Sequence, residues 1–403
     1  MKAQSRIVII DALRGLALLG IIIIHCIEHF EIFKPSDPNS PFVLGIDADV
    51  FESVLFMVGG KAYSIFAILF GYSFFIQMNN KAEQGKDFRF TFLWRMIVLF
   101  VIGFLHSIFY RGDILHIYAL AGIPFILSYS LSNRTLLVIA GLLLVQVPLL
   151  YLAYQAFTNP DFVYAPYYGD GYFPEGEEIY TTGSMWEVFE FNLYKARVVV
   201  WTWTYHTGRL VQLFGLFIIG LVIARKGYLT NLTANRYRVA FVGYFCLILM
   251  LLVKLYISGI ESFDWTEDQK TLMTMASQTY FNLFYTLTIC SGFILLYIYG
   301  KDKVKLFDYM AAYGRMSLTN YMSQAILGVI LFFQFGFGLW DDLGATWSLV
   351  LAIVLFVTQT MISVHWLRAY RYGPMEWLWR ALTYWDFNLP NKKERTRVQE
   401  VLV

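Results

Sequence analysis

Residues 7–26 read IVIIDALRGLALLGIIIIHC, an apolar run as long as a bilayer core requires of a helix. Nine comparable runs follow, at 54–78, 92–110, 114–131, 135–157, 209–225, 238–257, 279–299, 317–335 and 345–366. A backbone in lipid must satisfy its own hydrogen bonds, which leaves helices or a closed barrel. Runs without period-two alternation select helices. The expected fold class is all-α: a polytopic integral membrane helix bundle of about ten transmembrane helices. Composition agrees, because 58% hydrophobic residues against 15% charged is more apolar surface than one water-surrounded core can hide. The net charge of +2 gives no support to a nucleic-acid partner. The first run lacks a small-x-small cleavage site and reads as a span, not as a cleaved leader. Cys26, Cys246 and Cys290 lie in or beside apolar runs, so no disulfide framework is read.

Basic residues set the expected direction. With both termini cytoplasmic, the inner segments and helix edges hold 23 of the 31 Lys and Arg. The chain is then a single transmembrane domain over 1–403, with a long outer loop at 158–208 and a basic cytoplasmic tail at 386–403. The second part of that loop, SMWEVFEFNLYKARVVVWTWTYH, is amphipathic and aromatic. Two readings stay open, an interfacial belt or a lid whose rings meet a substrate. No repeat of the kind that builds many secondary transporters is visible.

Ionisable residues inside spans are costly and default to functional candidates. Asp11 and Arg14 stand one turn apart and can pair. His25 follows Arg14 by eleven residues, close to three helical turns, so the two share a helix face. His25, Glu28 and His29 also form an H-x-x-E-H string, the signature of one zinc-hydrolase class, which needs both imidazoles on one helix face. The hairpin FLHSIFYRGDILHIYAL concentrates His106, Arg111, Asp113 and His116. There Asp113 suits either a helix cap or a carboxylate that orients an imidazole. Lys61 is a further in-span charge expected to need an anionic partner.

Toward the cytoplasm, YGRMSLTNYMSQA supplies Arg315, Asn320, Tyr321 and Gln324, and YGPMEWLWRALTY supplies Glu376 and Arg380. Pro374 and Glu376 fit the first turn of a short helix. The alternative is a gate where Arg315 and Arg380 meet a phosphorylated donor. Neither a Walker A nor a G-x-G-x-x-G loop occurs.

The segments DALRGLALLGI (11–21), AILFGYSFF (67–75), GDILHIYAL (112–120), GRMSLTNYMSQ (314–324) and GPMEWLWRALTY (373–384) resemble, in order, the bacterial YeiB-like multipass family known as domain of unknown function 418. That family is similar to transmembrane acyltransferases. The resemblance implies a protein of the bacterial cytoplasmic (inner) membrane that moves an acyl group, expected to be acetyl, from cytoplasmic acyl-CoA to a hydroxyl or amine acceptor at the outer face. The acceptor class is a glycan, a lipid or a small metabolite, and no metal is expected. O-acyltransferase relatives carry Arg, ten residues, then His on the first helix, which corresponds to Arg14 and His25. His25 is then the general base, with Arg14, His106, Asp113 and His116 as its catalytic companions. Arg14, Arg315, Asn320, Tyr321, Gln324, Glu376 and Arg380 are the expected acyl-CoA contacts. A transporter or lipid translocator without acyl transfer is the alternative, and a metal-dependent hydrolase using His25, Glu28 and His29 the lesser one.

Overall fold

The computed structural model describes residues 7–165 and 171–393. The chain is all-helical. Helix α1 (Val8–Ile27) lies at the centre and packs on helices from both halves of the chain. The second expected span is divided: α2 (Asp47–Val58) and α3 (Ala62–Ala82) meet at Gly59 and Gly60, where Gly60 takes φ +74°. Glycine reaches that conformation without the Cβ penalty. Next come α4 (Arg89–His106) and α5 (Leu115–Phe125), joined by the hairpin turn that carries Asp113.

The fifth expected span is also divided, into α6 (Asn133–Leu144) and α7 (Val147–Thr158), with a bend of 40°. Gln146, at φ 60°, makes that break. The outer loop holds α8 (Tyr172–Thr182), α9 (Met185–Leu193) and α10 (Lys195–His206). The stretch 184–206, expected to be one amphipathic helix, is two, α9 and α10, and α8 precedes them. Ser184 and Glu187 form a reciprocal cap that starts α9. Asn192 donates to the Ile108 carbonyl at 3.0 Å and Arg197 to the Phe104 carbonyl at 2.9 Å. These bonds hold the loop over the α4–α5 hairpin.

A 68° bend separates α10 from α11 (Arg209–Arg225). The long pair α12 (Leu232–Gly259) and α13 (Glu267–Gly300) packs together, with α12 mostly exposed along its length. Then follow α14 (Leu306–Arg315), α15 (Ser317–Phe332), the single turn α16 (Leu339–Asp342), α17 (Ala345–Ala369) and the amphipathic α18 (Pro374–Tyr384). The expected tail at 386–403 is described only to Lys393.

Among the described residues, six helical segments are long and apolar enough to cross a bilayer: Val8–Ile27, Asp47–Ala82, Arg89–His106, Leu232–Ser262, Glu267–Gly300 and Ala345–Ala369. Counting each bent pair as one crossing gives eight. Leu115–Ser130 and Ser317–Phe332 are apolar but shorter. This is a multipass membrane protein.

Glycines permit the closest approaches, as expected where no hydrophobic effect separates helix from lipid. A Cβ at Gly314 of α14 would collide with the Asp11 carbonyl of α1, and one at Gly15 with the Met310 carbonyl. Gly71 of α3 meets Phe217 of α11, and Gly220 of α11 meets Ile68 of α3, in the same backbone-to-backbone manner. Gly220→Val should therefore destabilise the bundle by about 2–3 kcal/mol, since over-packing forces backbones apart. Gly141→Ala, where nothing lies within 4 Å, should be neutral or slightly stabilising. Thermal unfolding of the purified protein in detergent checks both.

Candidate active site

Arg14 leaves the central helix toward α3. It donates to Asp11 at 2.8 Å, the one-turn pair expected from the sequence, and to the Ser73 hydroxyl at 2.5 Å. Beside it lies a cavity of about 320 Å³ between α1, α3, α4, α5, α15 and α18. Four arginines line it: Arg14, Arg95, Arg315 and Arg380. Arg95 stacks on the Trp379 ring at 3.7 Å, and Arg380 stands over Tyr372 at 4.5 Å. The Nε atoms of Arg95 and Arg380 have no partner among the described residues.

Glu376 is the only carboxylate among the lining residues, and its bonds are already committed. It accepts from the backbone N–H of Leu318 at 2.6 Å and of Thr319 at 3.1 Å, and from the Thr319 hydroxyl at 2.6 Å. Glu376 stands in the first turn of its own helix, as the sequence led one to expect, and does more than that. It caps α15 from α18, because α15 begins without a side-chain cap of its own. Burial pushes the Glu376 carboxyl up, against the pull of these bonds. The cavity is left strongly cationic.

Its deep wall is formed by Tyr321, Ile114 and Leu115. The Tyr321 hydroxyl accepts from the Ile114 N–H at 3.2 Å, and its ring stands 5.5 Å from that of His106. Directly behind is Asp113, wholly buried. Its Oδ1 pairs with His106 Nδ1 at 2.8 Å and its Oδ2 with His116 Nδ1 at 2.9 Å. The same carboxylate accepts from the backbone N–H of Leu115 at 3.0 Å. Both sequence readings of Asp113 are met by one group, which starts α5 and orients two imidazoles. Burial raises its pKa, but the bonds and charge of the two histidines outweigh that and hold it below the usual carboxylate range.

Pairing through Nδ1 places the second nitrogen of each ring, Nε2, away from the carboxylate. Neither Nε2 has a partner among the described residues. His116 turns toward Trp201 of α10, with ring centroids 5.6 Å apart. His25 lies against Tyr110 at 5.0 Å and Phe30 at 5.5 Å, with His106 nearby. Its Nδ1 also lacks a partner among the described residues. The cavity reaches Ile21, one turn short of His25, so Arg14 borders the open space and His25 stands beyond its wall.

The zinc-hydrolase reading fails on geometry. Helix α1 ends at Ile27, and His29, Phe30 and Glu31 all take positive φ, at 44°, 55° and 79°. A left-handed turn of non-glycine residues persists only where its surroundings hold it. Here Arg111 binds both the Glu31 carboxylate, at 3.2 Å, and the Glu31 carbonyl, at 3.1 Å. His29 is thereby swung onto Phe332 and Ser348, where burial lowers its pKa to about 4. The two imidazoles of the string have different neighbours, and no group of three metal-capable side chains forms among the described residues.

The structure thus brings Arg14, Arg315, Tyr321, Glu376 and Arg380 to one cavity, and His25, His106, Asp113 and His116 to the protein behind it. Asn320 and Gln324 do not reach the cavity. Asn320 bonds the Tyr313 carbonyl and Ser363, each at 2.9 Å, and Gln324 meets the Tyr313 hydroxyl at 3.4 Å, so both tie α15 to its neighbours α14 and α17. Arg95 is a site residue that the sequence motifs did not single out. Its position inside an apolar run was the signal.

A multipass helical bundle with a cationic cavity backed by a carboxylate–imidazole cluster defines a membrane protein with a buried polar site. Residues 223–386 match a family described as protein of unknown function DUF418, and residues 6–169 match heparan-alpha-glucosaminide N-acetyltransferase, catalytic. The chain is 26% identical to the uncharacterized protein YeiB of Escherichia coli, over 94% of this chain and 97% of that one. It is 24% identical to the uncharacterized protein YxaH of Bacillus subtilis, over 97% and 98%. A 39.9 kDa protein from the amylase 3′ region of Bacillus acidopullulyticus is 27% identical over 94% of each chain. The chain is a homologue of the YeiB and YxaH proteins, as its motifs indicated, with an acetyltransferase-like segment in its N-terminal half.

Asp113→Ala should destabilise the protein by about 3–5 kcal/mol, because two buried imidazoles and the start of α5 lose their common acceptor. Asp113→Asn, which keeps an acceptor oxygen, should cost less. Detergent unfolding midpoints give the order, and equal midpoints for wild type and Asp113→Ala would contradict the role assigned to the carboxylate.

Proposed function

We propose that this chain is a membrane acyltransferase of the bacterial cytoplasmic membrane, moving an acetyl group from cytoplasmic acetyl-CoA to a hydroxyl or amine acceptor reached from the opposite face. The observation that carries the reading is the alignment of a four-arginine cavity with a histidine cluster behind its inner wall. The acetyltransferase match supports it, since residues 6–169 contain Arg14, His25, Arg95, His106, Asp113 and His116. A glycan amine is the acceptor class that the matched family's description favours. The reading takes ten crossings with both termini cytoplasmic. The two bent pairs and the two shorter apolar helices complete the six longer spans, and the distribution of basic residues supports the direction.

In this scheme the arginines hold the donor's phosphates, which planar guanidinium groups bind well. The acceptor's O–H or N–H attacks the thioester carbonyl. His25 takes the proton, the C–S bond breaks as the new C–O or C–N bond forms, and the thiolate leaves with CoA and is protonated. Asp113 keeps His106 and His116 in the tautomer with Nδ1–H, so each presents Nε2 as a base or, once protonated, as a donor. His106 stands between the cavity wall and His25 and is the neighbour that tunes it. Substrate binding must open the wall at Tyr321 and Ile114, because His25 lies outside the cavity.

The test is consumption of labelled acetyl-CoA by protein reconstituted in proteoliposomes with candidate amine and hydroxyl acceptors. His25→Ala should lower kcat roughly 10²–10⁴-fold, the range of a lost general base. Arg95→Ala should raise KM for acetyl-CoA by about tenfold, one charge-assisted contact, with little change in kcat. Turnover unchanged by His25→Ala removes His25 from the mechanism. The alternative of a transporter draws on the two broken helix pairs, a device that transport folds use at their binding sites. It predicts solute flux that survives His25→Ala and needs no acetyl-CoA.

A further inference from the structure

The break between α2 and α3 carries a charged group that acyl transfer leaves unused. Lys61 follows Gly60 directly, and its side chain is buried, with the residue only 3% exposed. Its Nζ stands 5.2 Å from the Tyr285 ring centroid, 5.4 Å from Phe281 and 5.8 Å from Phe56. Lys254 of α12 stands over the same Phe56 ring at 5.7 Å. Arg209, at the head of α11, is the third cation within electrostatic reach of Lys61. Among the described residues neither Lys61 nor Lys254 has a carboxylate at ion-pair distance. The anionic partner expected for Lys61 does not stand at ion-pair distance, Glu28 and Glu31 acting on Arg209 instead, and an aromatic cage stands in its place.

Three rings offset part of the cost of a cation in hydrocarbon. They do nothing for the mutual repulsion of like charges, which only an anion relieves. Lys254 is exposed, and Phe56, Leu251 and Leu255 beside it are exposed as well. The group therefore opens sideways, toward lipid. It lies at the end of α3 opposite Gln77, the residue of α3 nearest the arginine-lined mouth. Gly20 of α1 packs against Val58 and Ala62, which sets Lys61 about two turns below the end of α1.

We propose that Lys61 and Lys254, framed by Phe56, Phe281 and Tyr285, bind the phosphate head of an anionic membrane lipid in the leaflet opposite the cavity mouth. The acyl chains lie along the exposed leucines of α12. Lys61 grips the phosphate from within the bundle and Lys254 closes over it from the lipid side, its stem along Phe56 as a long basic side chain can lie. Free phosphate shares the head-group chemistry but gains nothing from the apolar face.

The full-length protein is purified in detergent with phosphatidylglycerol, with phosphatidylcholine, or with phosphatidylcholine plus inorganic phosphate. Retained lipid is read by native mass spectrometry, and stability by thermal unfolding. Wild type should retain phosphatidylglycerol and unfold at a higher temperature with it. Lys61→Met should retain roughly tenfold less, as befits one lost charge-assisted contact, while Lys61→Arg keeps most of the binding. In phosphatidylcholine alone Lys61→Met should unfold no earlier than wild type, because a buried charge has been removed. If Lys61→Met does not fold, exposed Lys254→Gln serves for the same comparison. Equal retention by wild type and variant overturns the proposal. Inorganic phosphate that stabilises as well as phosphatidylglycerol does overturns the assignment to a lipid. Neither readout depends on acetyl-CoA turnover.

Discussion

A single carboxylate, Asp113, organises the polar interior. Buried where water cannot solvate it, it is held ionised by two imidazoles and a backbone N–H. A charge in such a place is tolerable only when its lone pairs are filled with good geometry. The requirement runs both ways. The carboxylate fixes the rotamers of His106 and His116, aligns α4 with the start of α5 and seats Tyr321 of α15 against the same turn. Chemistry and architecture share these bonds, so the hairpin cannot shift without cost.

The cationic cavity follows from a second constraint. Helices in lipid approach closely only where side chains are small, and the glycine pairs of α1 with α14 and of α3 with α11 bring those backbones together. Approach at those seams leaves space elsewhere, between α3, α4, α15 and α18. Arginines of four different helices line that space; Arg14 pairs with Asp11, whereas Arg95 and Arg380 rest on aromatic rings. An arginine stacked on a ring keeps its donors available to an incoming anion. Such an arrangement suits a polyanionic ligand better than a network of internal salt bridges would.

Much of this was written in the linear pattern. Apolar runs located α1 and α17 to within a few residues, because hydrocarbon length sets helix length, whereas α13 begins well ahead of its run, at Glu267. The three-residue spacing of Asp113 and His116 placed them on one turn. The seven residues from His106 to Asp113 carried no such signal, since a hairpin and not a helix connects them. The H-x-x-E-H string misled for a related reason. Spacing implies a shared face only while the helix lasts, and α1 stops at Ile27 under the pull of Arg111 on Glu31.

By itself the sequence determined that the chain is a helical membrane protein and which charged residues lie within its apolar runs, because those follow from the energetic demands of lipid on each segment alone. Tertiary structure decided which of those charges meet. Arg95 joined Arg14 and Arg380, Glu376 became the cap of a distant helix, and Asn320 and Gln324 turned into the packing of α15 against α14 and α17. Each outcome depends on helices far apart in the chain, whose mutual rotation is set by the fit of their surfaces and not by any local preference.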